Sequence, residues 1–149
     1  MSEPRYVELQ ATSHFSFLRG ASSCEELFSQ AALCGIEAVA IVDRNSVAGI
    51  VRAHEAAKVT GVRLIIGCRL DLIDGSGLLV YPTDRPAYSR LCRLLSLGKR
   101  RAGKARCNLD WQDLPDFADG LIAMLVPDAA DETCGQRLRR LKATFPAGA

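Results

Sequence analysis

The chain has 149 residues, 48% of them apolar and 24% charged, with a formal net charge of +2. That composition fits one globular domain or a piece of one and excludes an intrinsically disordered chain. No apolar run approaches the roughly 18 residues that a membrane-spanning helix needs, and Met1-Ser2-Glu3-Pro4-Arg5 lacks the apolar stretch of a signal peptide, so a cytoplasmic location without membrane contact is expected.

Short apolar runs alternate with segments of helical period. Tyr6 to Ala11 is expected to form a first strand. Ser23 and Glu26 make a capping box, in which each side chain satisfies the other's free backbone amide. Leu27, Phe28, Ala31 and Ala32 follow at helical spacing, and Gly35 is placed to end the helix in a left-handed turn. Ala38 to Val42 is wholly apolar, as a strand buried on both faces must be. Asn45 or Ser46 can cap a second helix running to Thr60, with Val47, Ile50, Val51 and His54 on one side and Gly61 beyond its end.

Val62 to Gly67 reads as the next buried strand. Arg69-Leu70-Asp71-Leu72, the turn residues Asp74-Gly75-Ser76-Gly77 and the run Leu78 to Tyr81 predict a hairpin. Asp84-Arg85-Pro86 opens a third helix, with proline in the first turn where its missing N–H costs nothing. Tyr88, Leu91, Leu94 and Leu95 are its apolar stripe and Gly98 its expected end. A basic loop, a short helix over Leu109 to Phe117, a strand over Leu121 to Val126 and a last helix over Cys134 to Phe145 complete the chain. This alternation predicts an α/β class with parallel strands joined by crossovers. Four such strands make an open sheet, or about half of a closed barrel.

The six cysteines, Cys24, Cys34, Cys68, Cys92, Cys107 and Cys134, include no C-x-x-C pair and no Cys/His cluster. They are expected to be small buried hydrophobes rather than disulfide partners or zinc ligands. Of the two histidines, His14 reads as a surface or capping residue and His54 as packed or half-exposed. Trp111 and Phe117 read as anchors to the core, with no aromatic series suited to base stacking.

Charge is segregated along the chain. From Arg85 to Leu109 there is no Asp or Glu, and Arg85, Arg90, Arg93, Lys99, Arg100, Arg101, Lys104 and Arg106 are basic. The other 11 basic residues stand against all 17 acidic ones, so the remainder carries −6. Lys99, Arg100, Arg101, Lys104 and Arg106 are the candidate nucleic-acid contacts. The plainer alternative is a solvated loop after a helix whose C-terminal end favours cations.

Two segments carry more specific information. Gln10-Ala11-Thr12-Ser13-His14-Phe15-Ser16-Phe17-Leu18-Arg19-Gly20 follows the first strand, and Val42-Asp43-Arg44-Asn45-Ser46-Val47-Ala48-Gly49 follows the second, with Gly67-Cys68-Arg69 after the third. Their spacing and strand context resemble the PHP (polymerase and histidinol phosphatase) domain. Its motifs read His-x-His-(Ser/Thr)-x-(Phe/Tyr)-Ser-x-x-Asp-Gly, Thr-Asp-His-x-x-x-x-Gly and Gly-x-Glu. Leu79 to Ser96 and Gly120-Leu121-Ile122-Ala123 are similar to the segments that follow in bacterial replicative polymerases. Thr12 to Ser22, Asp43 to Ser46 and Leu97 to Arg101 resemble most the error-prone branch of the C-family polymerases, of polymerase III alpha-subunit type.

The resemblance implies a distorted β/α barrel of PHP type. Residues 1–149 would be its N-terminal portion, with the hairpin as an insertion and no complete second domain. The parent would be a damage-induced translesion DNA polymerase, a nucleotidyltransferase using Mg2+ in a palm domain outside this chain. Its implied partners are the remainder of the polymerase chain, DNA, accessory translesion proteins and the sliding clamp.

A PHP phosphoesterase holds two or three metal ions with His and carboxylate side chains. The corresponding positions here are Gln10, Thr12, Asp43, Arg44 and Arg69, and among them only Asp43 keeps a ligating group. A guanidinium cannot ligate a cation and brings positive charge to a site meant to gather it. The expectation is a degenerate centre, with no catalytic residue and no resident metal or cofactor, and a structural, DNA-contacting or partner-contacting role. Arg19, Arg44 and Arg69 are expected to close around Asp43 as a salt-bridge network in the space of the metals. The alternatives are an active metal-dependent PHP phosphoesterase or 3'-5' exonuclease, and a stand-alone binding module from a truncated gene. The open sheet edges of a half barrel would favour a homodimer.

Overall fold

In the computed structural model, which describes residues 6–146, the chain divides into two units, Met1–Cys68 and Arg69–Ala149. The first is built on a parallel sheet in the order β1 (Glu8–Ala11), β2 (Ala38–Ile41), β3 (Arg63–Ile66). Helices α1 (Cys24–Leu33) and α2 (Ile50–Thr60) make the two crossovers. β2 is the central strand and is buried at all four residues, which is why its sequence is apolar without alternation.

The capping box of α1 forms as expected: Ser23 Oγ accepts from the Glu26 N–H at 3.1 Å, and Glu26 Oε2 accepts from the Ser23 N–H at 2.7 Å. Gly35, at φ +69°, follows the helix in the left-handed conformation. Phe28, Val39, Ile41, Ile50, Ala53 and Val62 form the core of this unit. Full burial of a side chain such as Phe28 contributes about 1.5–3 kcal/mol.

α2 differs from expectation at its start. Neither Asn45 nor Ser46 caps it; the cap residue is Gly49, without a side-chain bond. Asn45 takes φ +48°, and Ser46 Oγ instead accepts from the Ala48 N–H at 3.1 Å. Residues 44–49 are thus a turn that carries the chain from β2 to the helix. The buried face of α2 is Ile50, Ala53 and Ala56, whereas Val51 and His54 are exposed. Small alanines on that face let α2 lie close to α1.

The second unit has a sheet in the order β4 (Cys68–Asp71), β5 (Gly77–Pro82), β6 (Leu121–Val126). The Leu72 N–H donates to Ser76 O at 2.8 Å and closes the expected hairpin turn. β6 runs antiparallel to β5, with Gly77 opposite Val126 and Pro82 opposite Leu121. This overturns the expectation of a fourth parallel strand. α3 (Arg85–Ala102) leads away for 18 residues, about 27 Å at 1.5 Å per residue, and residues 103–120 bring the chain back. It re-enters where β5 ended, with the Thr83 N–H donating to Gly120 O at 2.9 Å.

α3 also runs through Gly98, where an end was expected. A Cβ at Gly98 would lie 2.6 Å from Cys107 Sγ and 2.8 Å from Leu109 Cδ2, and the Asn108 N–H donates to Gly98 O at 3.0 Å. The glycine serves close passage of the returning chain, and the helix ends at Gly103, φ +73°. Lys99, Arg100 and Arg101 therefore belong to a helix, and only Lys104 and Arg106 to a loop.

The expected helix over Leu109 to Phe117 is two 3-10 turns, Trp111–Asp113 and Pro115–Phe117, because Pro115 cannot donate to a continuing helix. Trp111 is buried and Phe117 half-buried. The last helix, α4 (Glu132–Thr144), begins earlier than expected, on an Asp131 cap that accepts from the Cys134 N–H at 2.8 Å. Among the cysteines only Cys24 and Cys68 are buried, while Cys34 is exposed. The class is mixed α/β, and the described strands form no closed sheet. No helix among the described residues is long and apolar enough to cross a membrane.

Candidate functional site

Asp43 lies directly beyond β2 and is 2% exposed. Its carboxylate draws together the segment that follows β1. Oδ1 accepts from the Ser13 N–H at 2.9 Å and from Ser16 Oγ at 2.7 Å, and Oδ2 accepts from Ser13 Oγ at 2.7 Å. The two hydroxyls are used a second time: Ser16 Oγ accepts from the Arg44 N–H at 2.9 Å and Ser13 Oγ from the Phe15 N–H at 3.2 Å. Below the carboxylate, Cys68 Sγ donates to Asp43 O at 3.4 Å. A buried carboxylate is tolerable only when its lone pairs are met in this way.

Two glycines of the motif segments make this knot possible. A Cβ on Gly20 would fall on the carbonyl oxygen of Ser13 and 2.7 Å from that of Thr12. A Cβ on Gly49 would lie 3.0 Å from Asp43 Oδ2, 3.0 Å from the Phe15 ring and 3.3 Å from Ser13 Oγ. Both glycines are read as space for a close approach, one to backbone and one to the Asp43 cluster.

Within the first unit, the side-chain donors to Asp43 are serines rather than arginines. Arg19 is exposed and makes no side-chain hydrogen bond among the described residues. Arg44 contributes its backbone N–H to Ser16. Arg69, in the second unit, pairs with Asp71 at 2.8 Å. Serine hydroxyls win because they sit one and four residues beyond Thr12, on the chain already held against Asp43, and need no long side chain to be ordered. The (Ser/Thr)-x-x-Ser spacing of Ser13 and Ser16 was the available signal for these donors.

Of the other ligand positions, Gln10 is exposed on β1 and Thr12 half-buried. Among the described residues no group of three or more His, Cys, Asp or Glu side chains could hold a metal ion. His14 is exposed, stacks on Phe15 with ring centroids 4.6 Å apart, and places Nδ1 3.3 Å from Ser22 O. His54 is exposed on α2 and so is not packed into the core. Burial pushes the Cys24 thiol up, with Asp43 acting in the same direction, so Cys24 is a thiol rather than a thiolate nucleophile.

In the second unit, the five candidate nucleic-acid contacts Lys99, Arg100, Arg101, Lys104 and Arg106 are all exposed, but they are not equivalent. Arg101 Nη1 donates to both carboxylate oxygens of Asp113, at 2.7 and 2.8 Å. Asp113 in turn accepts from the Asp110 N–H at 2.8 Å, so Arg101 braces a 3-10 turn. Burial acts to raise the Asp113 pKa, but the Asp110 N–H and the Arg101 guanidinium together hold it below the ordinary carboxylate value. Arg90 is used similarly, with Nε on Asp119 O at 2.8 Å and Nη2 on the Asp119 carboxylate at 3.0 Å.

A parallel three-stranded sheet with motif loops after its first two strands, joined through one buried aspartate, is the frame on which the PHP resemblance falls. The sequence profile of that family, described as "PHP domain", matches residues 8–137, and the chain belongs to it. The chain is 65% identical over 145 residues, 97% of its length, to Error-prone DNA polymerase 1 of Agrobacterium fabrum, and 63% identical over 141 residues, 95% of its length, to Error-prone DNA polymerase 2 of Rhizobium meliloti. It spans 13% of the length of each of these relatives. Among solved structures, one assigned to a metal-dependent phosphoesterase of Bifidobacterium adolescentis superposes with a TM-score of 0.54 at 24% identity, covering 63% of this chain and 33% of that one. That likeness concerns the fold.

Proposed function

We propose that the chain is the N-terminal PHP region of an error-prone, translesion DNA polymerase and that its own role is structural. The identity of 60–65% to error-prone polymerases over nearly the whole chain supports the parentage. The bonding of Asp43 is the observation that supports the role. PHP domains are generally metal-dependent, and the residues present do not fit a metal cluster. Both carboxylate oxygens of Asp43 are turned to Ser13 and Ser16, and Gln10, Thr12, Arg44 and Arg69 supply two neutral groups and two permanent cations at the other ligand positions. The frame is kept because Asp43 now fastens the first motif segment to the sheet.

In this reading residues 1–149 are a partial PHP domain, its barrel completed by later parts of the parent. Phosphoryl transfer with Mg2+ belongs to the parent's palm. The remainder of the polymerase chain is the principal partner. The sliding clamp, accessory translesion proteins and a second copy of the chain are further partners that rest on the resemblance alone.

The experiment that tests the parentage is to read the gene beyond codon 149. Continuous coding sequence with the aspartate-bearing palm motifs of a polymerase is the expected result. A stop without them favours the stand-alone binding module.

A further inference from the structure

The basic residues of α3 are divided by their position around the helix. Buried Ala87, Leu91, Leu94, Leu95 and Gly98 define its inner face. At 100° per residue, Arg85, Ser89, Arg93, Ser96 and Arg100 fall on the opposite crest, with Lys99 on one flank and Arg90 and Arg101 on the other. The flank arginines are the ones held by Asp119 and Asp113. The side chains of Arg85, Arg93, Lys99, Arg100, Lys104 and Arg106 make no hydrogen bond or ion pair among the described residues.

Helix energetics account for only part of this. Cations in the last turn, Lys99 and Arg100, are favoured by the helix dipole. Arg85 occupies the first turn, next to the Asp84 cap whose carboxylate takes the Ala87 N–H, and the dipole there disfavours a cation. Arg93 is at mid-helix, where the dipole is indifferent. Neither side chain has a hydrogen bond or ion pair among the described residues, so an external anion gives the row a reason.

We propose that the crest of α3 and the loop 103–106 form a docking surface for the phosphate backbone of duplex DNA, resting on the polymerase reading above. From Arg85 to Arg100 the row extends for about 23 Å, and a duplex presents one phosphate per roughly 1.7 Å of axis, so the row meets several phosphates at once. Ser89 and Ser96 between the arginines are small enough to let a backbone come close. An acidic protein partner fits less well. No large exposed hydrophobic residue lies between Arg85 and Leu109, so the surface lacks the apolar or aromatic anchor around which protein interfaces are built. The same lack of an exposed aromatic leaves nothing to stack on an unpaired base, which favours a duplex over a single strand. Binding is therefore independent of sequence and strongly dependent on salt.

The test is fluorescence anisotropy of the 149-residue chain with a labelled 20-base-pair duplex across a salt series. The wild type is expected to bind with log K falling about 0.9 per phosphate contacted, a slope of roughly −4.5 to −5.5 for five or six cations. Arg93→Ala, Arg100→Ala and Lys104→Ala each reduce the slope by about one. The triple variant to Glu abolishes binding, with the circular dichroism spectrum unchanged because all three side chains are exposed. No binding at 50 mM salt, equal loss for all DNA regardless of variant, or equal affinity for poly-glutamate overturns the proposal. The gene test above is independent: DNA binding without palm motifs rejects the polymerase parentage, and palm motifs without DNA binding reject this surface.

Discussion

Asp43→Ala is expected to destabilise the chain by about 3 kcal/mol or more, since each buried donor left without an acceptor costs about 1–3 kcal/mol. Three donors lose their acceptor at once: the Ser13 N–H, Ser13 Oγ and Ser16 Oγ. Against a typical total of about 5–15 kcal/mol this is a large share. Asp43→Asn should be much milder, about 1 kcal/mol. Its carbonyl oxygen can take the place of Oδ1 and keep two of the three bonds. Its amide can then donate to Ser13 Oγ, a hydroxyl that accepts as readily as it donates. Urea unfolding followed by circular dichroism measures both variants. If Ala is no worse than Asn, the serine knot is not what holds this segment.

Gly20→Ala is the second large effect, with an expected loss of about 3 kcal/mol, the upper end of the overpacking range. Its new methyl group meets the carbonyls of Thr12 and Ser13, which are backbone and cannot rotate away. The chain from Ser13 to Gly20 would have to move, and with it the donors to Asp43. Gly49→Ala gives the comparison. Its methyl group meets the Phe15 ring and the Asp43 carboxylate at 3.0 Å, and the half-exposed ring can turn aside, so about 1 kcal/mol is expected. Thermal unfolding of both variants should separate them, Gly20→Ala melting well below Gly49→Ala. Near-equal midpoints would mean that the Ser13–Gly20 turn is not tightly packed.

On the proposed reading, these two effects give a physical reason for the motif to be kept without its metal ligands. The glycines and Asp43 are read as holding together a loop on the parallel sheet, a task indifferent to whether histidines stand at Gln10 and Thr12. The local signals in this region were legible in the sequence: the Ser23–Glu26 box, the apolar β2 and the Gly35 stop each depend on neighbours within a few residues. Where the sequence misled, a distant segment decided. Gly98 reads as a helix end until Cys107 and Leu109 are seen lying against it. β6 reads as one more parallel strand until the return path of residues 103–120 is traced. Asp43 invites an arginine partner on charge alone, whereas the hydroxyls of Ser13 and Ser16 were already in place. The basic run was legible as charge, but its division into bracing and unpaired side chains needed the positions of Asp113 and Asp119.

On the proposed reading Asp43 serves as an internal acceptor and not as a metal ligand. The most direct measurement is the metal content of the purified chain after equilibration with zinc and manganese and removal of the excess. No stoichiometric metal, together with a melting temperature that a chelator leaves unchanged, is the expected result. Stoichiometric zinc or manganese that is lost in Asp43→Asn, with a melting temperature lowered by the chelator, would contradict it.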